Sequence, residues 1–265
     1  MATFANQVVW ITGASSGIGE AVAVAVAQAG ARLVLSARRA DELQRVAART
    51  GLPPAAVLIL PMDVTQTDKL PGLAEQVQTT FGRIDYLFLN AGITQRSTVA
   101  DATIADYHRL MDVNFFGVVA LTKAVLPIML AQGSGHFIVT SSVAGKLGTK
   151  QRSGYCASKH ALHGFFDALQ AETAEAGLFT TIVCPGYIDT PISLHALGAN
   201  GQPHGKLDAN QQQGMNPAEF ARQWMRAVLR RKEEVYIGGL EKYGIYLKRF
   251  LPGVLSRIVR NRPGE

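Results

Sequence analysis

The chain has only two cysteines, Cys156 and Cys184, in 265 residues. Two thiols make no disulfide framework, so a reducing compartment is the default, and the cytoplasm is the expected location. The opening residues MATFANQVVWITG contain neither a basic segment nor a long apolar one, so they do not read as a signal peptide. No uninterrupted apolar run reaches membrane-spanning length. No His, Cys, Asp or Glu cluster has metal-ligand spacing, so no metal is expected. No Gly-x-Ser-x-Gly elbow supports a serine hydrolase. No basic block interleaved with aromatics marks a nucleic-acid-binding fold, so no nucleic acid partner is expected. The net charge of +6 suits a phosphate-bearing partner or serves solubility alone. Internal repeats of solenoid period are absent.

What is present is rhythm. Strand patterns are predicted over 7–11, 32–36, 56–60, 86–89, 136–140 and 179–184, with a seventh over 235–237. Helical patterns are predicted over 17–30, 40–50, 67–81, 104–131 and 154–176, with Pro127 expected to kink or end the fourth. Short buried strands alternating with helices imply an α/β fold, a doubly wound parallel seven-stranded sheet with helices on both faces, the Rossmann fold.

Two regions break the rhythm. Residues 191–216 are polar and read as a mobile loop, either a lid or a tolerated insertion. Residues 242–265 alternate apolar and basic side chains around Pro252-Gly253. A catalytic domain over 1–241 and a basic amphipathic tail over 242–265 are therefore expected. The tail either packs on the body or a subunit interface, which is the favoured reading, or docks peripherally on an anionic membrane.

Thr12-Gly13-Ala14-Ser15-Ser16-Gly17-Ile18-Gly19 joins the first strand to the first helix. Glycines at this spacing let the backbone approach a pyrophosphate, which meets the free N–H groups and positive dipole end of the helix. Gly13, Ser15, Ser16, Gly17, Ile18 and Gly19 are thus candidate cofactor contacts. The second strand ends in Ser36-Ala37-Arg38-Arg39, with no acid before Asp41. An acid there would bind the ribose of NAD; the guanidinium groups of Arg38 and Arg39 suit a 2′-phosphate, unless they are simply solvated. NADP(H) is the expected cofactor. Asp63-Val64 can meet the adenine, or Asp63 can act as a turn residue, or both. Asn90-Ala91-Gly92 leaves room for the middle of the cofactor at the carboxyl end of the fourth strand.

Thr12-Gly13-x-x-x-Gly17-x-Gly19, Asn90-Ala91-Gly92, Asn114, Ser142, Tyr155-x-x-x-Lys159 and Pro185-Gly186-x-x-x-Thr190 come in the order found in the short-chain dehydrogenase/reductases, which this chain resembles from about Val8 to about Ile237. Leu89 replaces the first Asn of the Asn-Asn-Ala-Gly often found in that family. Gly145-Lys146, the run from Tyr155 to Ala161 and Pro185-Gly186-Tyr187-Ile188 resemble the branch of the animal dehydrogenase/reductase member seven B and the microsomal hydroxysteroid dehydrogenases. Animal members carry an N-terminal membrane anchor that this chain is expected to lack.

Carbonyl reduction needs a hydride at carbon, a proton for the alkoxide and a hold on the oxygen. Tyr155 can donate the proton; Lys159, one helical turn on, and the positive nicotinamide ring of the oxidised cofactor are both expected to lower its pKa, and Lys159 to bind the nicotinamide ribose. The resemblance implies that Ser142, rather than Ser141, binds the substrate oxygen. It also implies that Asn114 kinks the long helix and holds a proton-relay water, and that Pro185, Gly186, Ile188 and Thr190 hold the carboxamide. His160 is expected to point away and His163 to pack. Cys156 reads as a packed thiol, with a reactive one as the alternative. Leu147, Tyr187, Leu194 and the loop through Gly214 are expected to line an apolar pocket for a steroid, acyl or aryl ketone or the matching alcohol. The resemblance implies a homodimer or homotetramer through the helices at 104–131 and 154–176. The chain is therefore read as an NADP(H)-dependent oxidoreductase, the alternative being a non-catalytic dinucleotide-binding sensor.

Overall fold

This computed structural model describes residues 4–261. Along β1 (Val8–Thr12) side chains alternate between two faces, and both faces are buried. Val8 and Trp10 join one core and Val9 and Ile11 the other, so helices must cover both sides of the strand. That requirement shapes the whole domain. β2 (Arg32–Ser36), β3 (Val57–Ile59), β4 (Tyr86–Leu89), β5 (Gly135–Thr140), β6 (Leu178–Pro185) and β7 (Glu234–Ile237) complete a sheet in the order β3-β2-β1-β4-β5-β6-β7. Every neighbouring pair is parallel. The chain reverses direction across the sheet between β1 and β4, and a crevice opens there at the carboxyl ends of the strands.

On one face, α3 (Leu70–Phe81), α5 (Gly117–Gln132) and α6 (Ser153–Thr173) bury Val77, Val125 and Phe166. On the other, α1 (Gly17–Gln28), α2 (Ala40–Thr50) and α8 (Pro217–Leu229) bury Val26, Val46 and Trp224. α8 was not expected from the pattern, although its signals are present. Asn216 caps it by accepting from the Ala218 N–H at 2.9 Å, Pro217 takes the first turn, and Phe220, Trp224 and Val228 recur every fourth residue.

The helix expected over 104–131 divides into α4 (Ile104–Met111), a π-helical turn (Asp112–Phe116) and α5. Pro127 does not end it. The proline lies on the exposed face, while Val125 and Met129 are buried on the turns around it, and the helix runs on to Gln132. The combined span Ile104–Gln132 is long and apolar enough to cross a membrane by length and composition, although Asp106, Arg109, Asp112 and Lys123 interrupt it. In this fold it packs on α3 and α6.

Residues 191–216 carry local structure and contacts to the body. Two short 3-10 turns and α7 (Ala209–Gln212) punctuate them, and isolated bridges join Leu197 to Gln95 and Met215 to Ile188. The tail forms α9 (Tyr243–Phe250) and α10 (Pro252–Asn261), with Pro252 opening the second helix. Ile245 and Leu255 bury themselves against Val143 and Leu147, which meets the expectation of packing on the body. Residues 262–265 of the tail lie outside the described residues.

Candidate active site

The turn after β1 is built for close approach. Gly13 and Gly17 have φ of +66° and +57°, where a side chain is strained. A Cβ at Gly19 would stand 2.2 Å from the Gly13 carbonyl oxygen. The N-terminus of α1 keeps its amides toward the cleft, because the cap residue Ser16 makes no side-chain hydrogen bond to them.

Thr12 fastens this turn to the next one. Its Oγ1 accepts from the Asn90 and Ala91 N–H groups at 2.9 and 3.0 Å, and Asn90 Nδ2 donates to the Thr12 carbonyl at 3.2 Å. Thr190, from the far side of the sheet, comes within 3.0 Å of where a Gly17 Cβ would be. Gln211 Nε2 donates to the Ile188 carbonyl and the Thr190 hydroxyl, at 3.0 and 3.1 Å. Gly186 has no room for a side chain, since Glu241 fills that space and accepts from the Tyr187 N–H at 3.0 Å.

A cavity of about 1690 Å³ joins these pieces, from Gly13, Arg38, Asp63 and Asn90 through Ser142 and Tyr155 to Thr190. Ser15, Ser16, Ile18, Arg39, Val64, Ala91, Gly92, Pro185, Gly186 and Ile188 also line it. Arg38 and Arg39 are exposed at its rim. Asp63 fills the turn role, since its Oδ1 accepts from the Thr65 N–H and hydroxyl at 3.0 and 2.8 Å. Burial raises its pKa, but those bonds and Arg38 outweigh that and leave it lowered. The glycine turn, open helix end and cationic rim fit a dinucleotide.

The reactive end gathers residues from four segments. Tyr155 stands in the first turn of α6, beside Ser142. Ser142 follows β5, and its Oγ also accepts from the Ala144 N–H at 3.1 Å. Ser141 points into the body, as expected. It donates to the Lys159 carbonyl at 3.2 Å and lies 2.9 Å from His163 Nε2. Lys159 Nζ donates to the Thr140 carbonyl at 2.8 Å and lies 5.9 Å from the centre of the Tyr155 ring.

Asn114, wholly buried in the π-helical turn, grips the backbone of Ile93 from both ends of its amide and donates to Ser158 Oγ at 3.0 Å. His163 packs in the interior and Cys156 is buried, while exposed His160 bonds back to the Cys156 carbonyl.

Two expectations need correction. Tyr155 is not lowered: burial raises its pKa, and the Ser142 hydroxyl and the charges of Arg152 and Arg96 only partly offset this. The ammonium expected to lower it is itself desolvated, so Lys159 falls to about 8. Leu194 does not line the cavity, whereas Leu147, Tyr187 and the loop do, the loop through Ile192, Leu197, Pro203 and Gln211. Leu194 instead offers its carbonyl to the Gly205 N–H within the loop.

Several supporting residues escaped sequence reasoning. Gln95 caps α6 beneath Tyr155, Glu241 holds the turn after β6, and Arg96 pairs with Asp208 in the interior. Their partners stand many tens of residues away, so no local spacing marks them. No group of three or more His, Cys, Asp or Glu that could hold a metal ion occurs among the described residues.

The short chain dehydrogenase family matches residues 7–197 of this chain. The chain is 39% identical over 262 residues to the dehydrogenase/reductase SDR family protein 7-like of Drosophila melanogaster, covering 97% of this chain and 80% of that one. It is 38% identical to the mouse dehydrogenase/reductase SDR family member 7B, covering 97% and 81% of the two chains. A short chain dehydrogenase/reductase from Burkholderia phymatum, solved in complex with NAD, superposes with a TM-score of 0.84 at 27% identity, over 100% of this chain and 98% of that one. With the glycine turn, the seven-stranded parallel sheet and the Tyr155–Lys159 helix in hand, the chain belongs to the short-chain dehydrogenase/reductase family, oxidoreductases that bind a nicotinamide dinucleotide.

Proposed function

We propose that this protein is an NADP(H)-dependent oxidoreductase that interconverts a carbonyl and a secondary alcohol on a hydrophobic substrate, with Tyr155 as general acid and base. The observation that carries this reading is the meeting of Tyr155, Ser142 and Lys159 at one end of a cavity whose other end is a phosphate-binding turn. When bound, the nicotinamide supplies or receives the hydride. Tyr155 passes the proton to the substrate oxygen, which Ser142 holds. A phenol raised above its ordinary value stays protonated near neutrality, and that favours donation in the reductive direction. Lys159 and Asn114 keep the reactive end ordered, and Ile188 and Thr190 hold the carboxamide.

NADP preference rests on Arg38 and Arg39 and on the lack of an acid at the end of β2. The NAD bound to the Burkholderia relative is the rival outcome. The hydrophobic substrate class rests on the apolar wall of Leu147, Tyr187, Ile192, Leu197 and Leu247. A homodimer or homotetramer through the long helices is supported by exposed Ile104, Phe116 and Leu130.

Fluorescence titration of NADPH and NADH tests the cofactor, in wild type and in a variant with Arg38→Ala and Arg39→Ala. Preference for NADPH that the double substitution abolishes is expected; equal or tighter NADH binding overturns it. Turnover of apolar ketones by wild type and its loss in Tyr155→Phe, with NADPH binding kept, test the reaction. Cofactor binding without turnover on any ketone would leave a dinucleotide sensor.

A further inference from the structure

Behind the reactive end runs a chain of polar groups that takes no part in the chemistry described above. It starts at Ser141, whose Oγ donates to the Lys159 carbonyl at 3.2 Å and lies 2.9 Å from His163 Nε2. The other ring nitrogen of His163 lies 3.5 Å from Glu234 Oε2. The same carboxylate oxygen takes Lys146 Nζ at 2.7 Å. Ser141 and His163 are buried, whereas the side chains of Glu234 and Lys146 are each 26% exposed, so the chain runs from the interior to the surface. In this way β7 is tied through α6 to the connection that follows β5.

The order of these residues in the sequence makes the chain a clamp. Ser141 and Lys146 bracket the turn after β5, and Ser142 lies between them with Val143, Ala144 and Gly145. Glu234 holds that turn at both ends, directly at Lys146 and through His163 at Ser141. Packing leaves the turn no slack, since a Cβ on Gly145 would stand 2.3 Å from Ser141 Oγ and 3.2 Å from His163 Nε2. Inside the clamp, Ser142 Oγ accepts from the Ala144 N–H at 3.1 Å, and the Ser142 carbonyl accepts from the Gly145 N–H at 2.8 Å. Ser141, His163 and Glu234 also come in the order of a nucleophilic triad. Ser141 is only 1% exposed and its hydroxyl is taken up by a main-chain carbonyl, so the set serves placement rather than attack.

We propose that Glu234, acting with Lys146 and His163, is a positioning group for Ser142. It fixes the turn from both ends and so sets where the Ser142 hydroxyl stands against the substrate oxygen. The proposal rests on the function proposed above, in which Ser142 holds that oxygen. Glu234, Lys146 and His163 do not line the cavity, so they act through the turn and not by touching substrate or cofactor. A hydroxyl displaced by a fraction of an ångström loses much of its grip on a developing alkoxide, whereas the glycine turn and the open end of α1 are untouched. The clamp therefore bears on the rate and not on cofactor affinity.

Kinetics with an apolar ketone and amide hydrogen exchange on the full chain test it. Lys146→Met cuts the clamp at its surface end and leaves the buried members in place. It is expected to lower kcat about tenfold with NADPH affinity unchanged. Lys146→Arg keeps the ion pair and should recover most of the rate. In a Ser142→Ala background, Lys146→Met should have no further effect, because the group it positions is gone. Without cofactor, the amides of Ala144, Gly145 and Lys146 should exchange about tenfold faster in Lys146→Met than in wild type, while those of β5 keep their rates. An equal loss of rate with and without Ser142 overturns the proposal, as does an unchanged kcat in Lys146→Met. Unchanged exchange over 144–146 overturns it whether or not the protein turns over a ketone. Faster exchange in a protein that reduces no ketone supports the clamp and sinks the proposed function instead.

Discussion

Gln95 Oε1 accepts from the N–H groups of Gly154 and Tyr155, at 2.8 and 3.3 Å, so a wholly buried glutamine caps the helix that carries the phenol. Its other end donates to Ser97 Oγ at 3.0 Å, which fixes the amide in place. Leucine at this position would leave the first amides of α6 buried without an acceptor, at a cost of about 2 kcal/mol. Gln95→Leu is expected to lower kcat about tenfold through a misplaced Tyr155 hydroxyl. NADPH affinity should be unchanged, and Gln95→Glu, which keeps the acceptor, should recover most of the rate. Steady-state kinetics beside cofactor titration separates these outcomes.

Lys159 makes stability depend on alkaline pH. Burial takes its pKa from 10.5 to about 8. Between those values the unfolded chain binds a proton that the folded chain has released, so stability rises with pH across that window. Below about 8 both states are charged, and the folded state bears the full desolvation penalty. Lys159→Met removes it. The variant is expected to be the more stable protein below about 8, with the gap closing toward 10.5. Cys184, raised by burial from 9.0 to about 12, pulls the other way above 9.0 but acts equally in both proteins. Urea unfolding of the pair across this range, in the absence of cofactor, measures the difference.

Glu234 sets the acid side. Burial pushes its carboxyl up, but the His163 ring at 3.5 Å and the Lys146 ammonium at 2.7 Å outweigh that and hold it at about 2, against an ordinary 4.5. A carboxylate lowered on folding contributes stability above its unfolded value and loses it as pH falls through the folded one. Glu234→Gln should therefore destabilise the protein at neutral pH, and its deficit should shrink as pH falls from 4.5 toward about 2. Acid titration followed by circular dichroism reads this, and a deficit constant with pH would assign the effect to packing alone.

Asp208 holds the segment over the site. Its carboxylate pairs with Arg96, both side chains 2% exposed, and lies 3.7 Å from Arg152 and from His204. Removing one partner of a buried pair costs about 3–5 kcal/mol. Asp208→Ala is expected to lose stability on that scale and to speed protease cleavage within residues 191–216. Adding Arg96→Met should recover part of the loss, because the uncompensated guanidinium goes with it. Unfolding measurements on the single and double variants, with timed digestion, check both parts.

Local pattern in the chain determined the framework. The alternation of buried strands and helices, the glycine turn with its flanking elements and the Tyr155–Lys159 spacing are short-range features, set by backbone sterics and side-chain periodicity. They placed the sheet, the crevice at its carboxyl edge and the Tyr155–Lys159 helix. Helix α8 was legible in Asn216-Pro217 and its fourfold apolar spacing, yet it follows a polar loop that masks its start.

What only the tertiary structure decided is long-range. Gln95 meets Tyr155 across 60 positions, and Arg96 meets Asp208 across 112. The direction of the Tyr155 shift depends on how much protein surrounds the phenol and on where the Lys159 ammonium points, toward the Thr140 carbonyl. The tail found its place on the body only through the burial of Ile245 and Leu255 beside Val143 and Leu147. Desolvation and the contacts between distant segments exist only in the folded chain, and no spacing along the sequence encodes them.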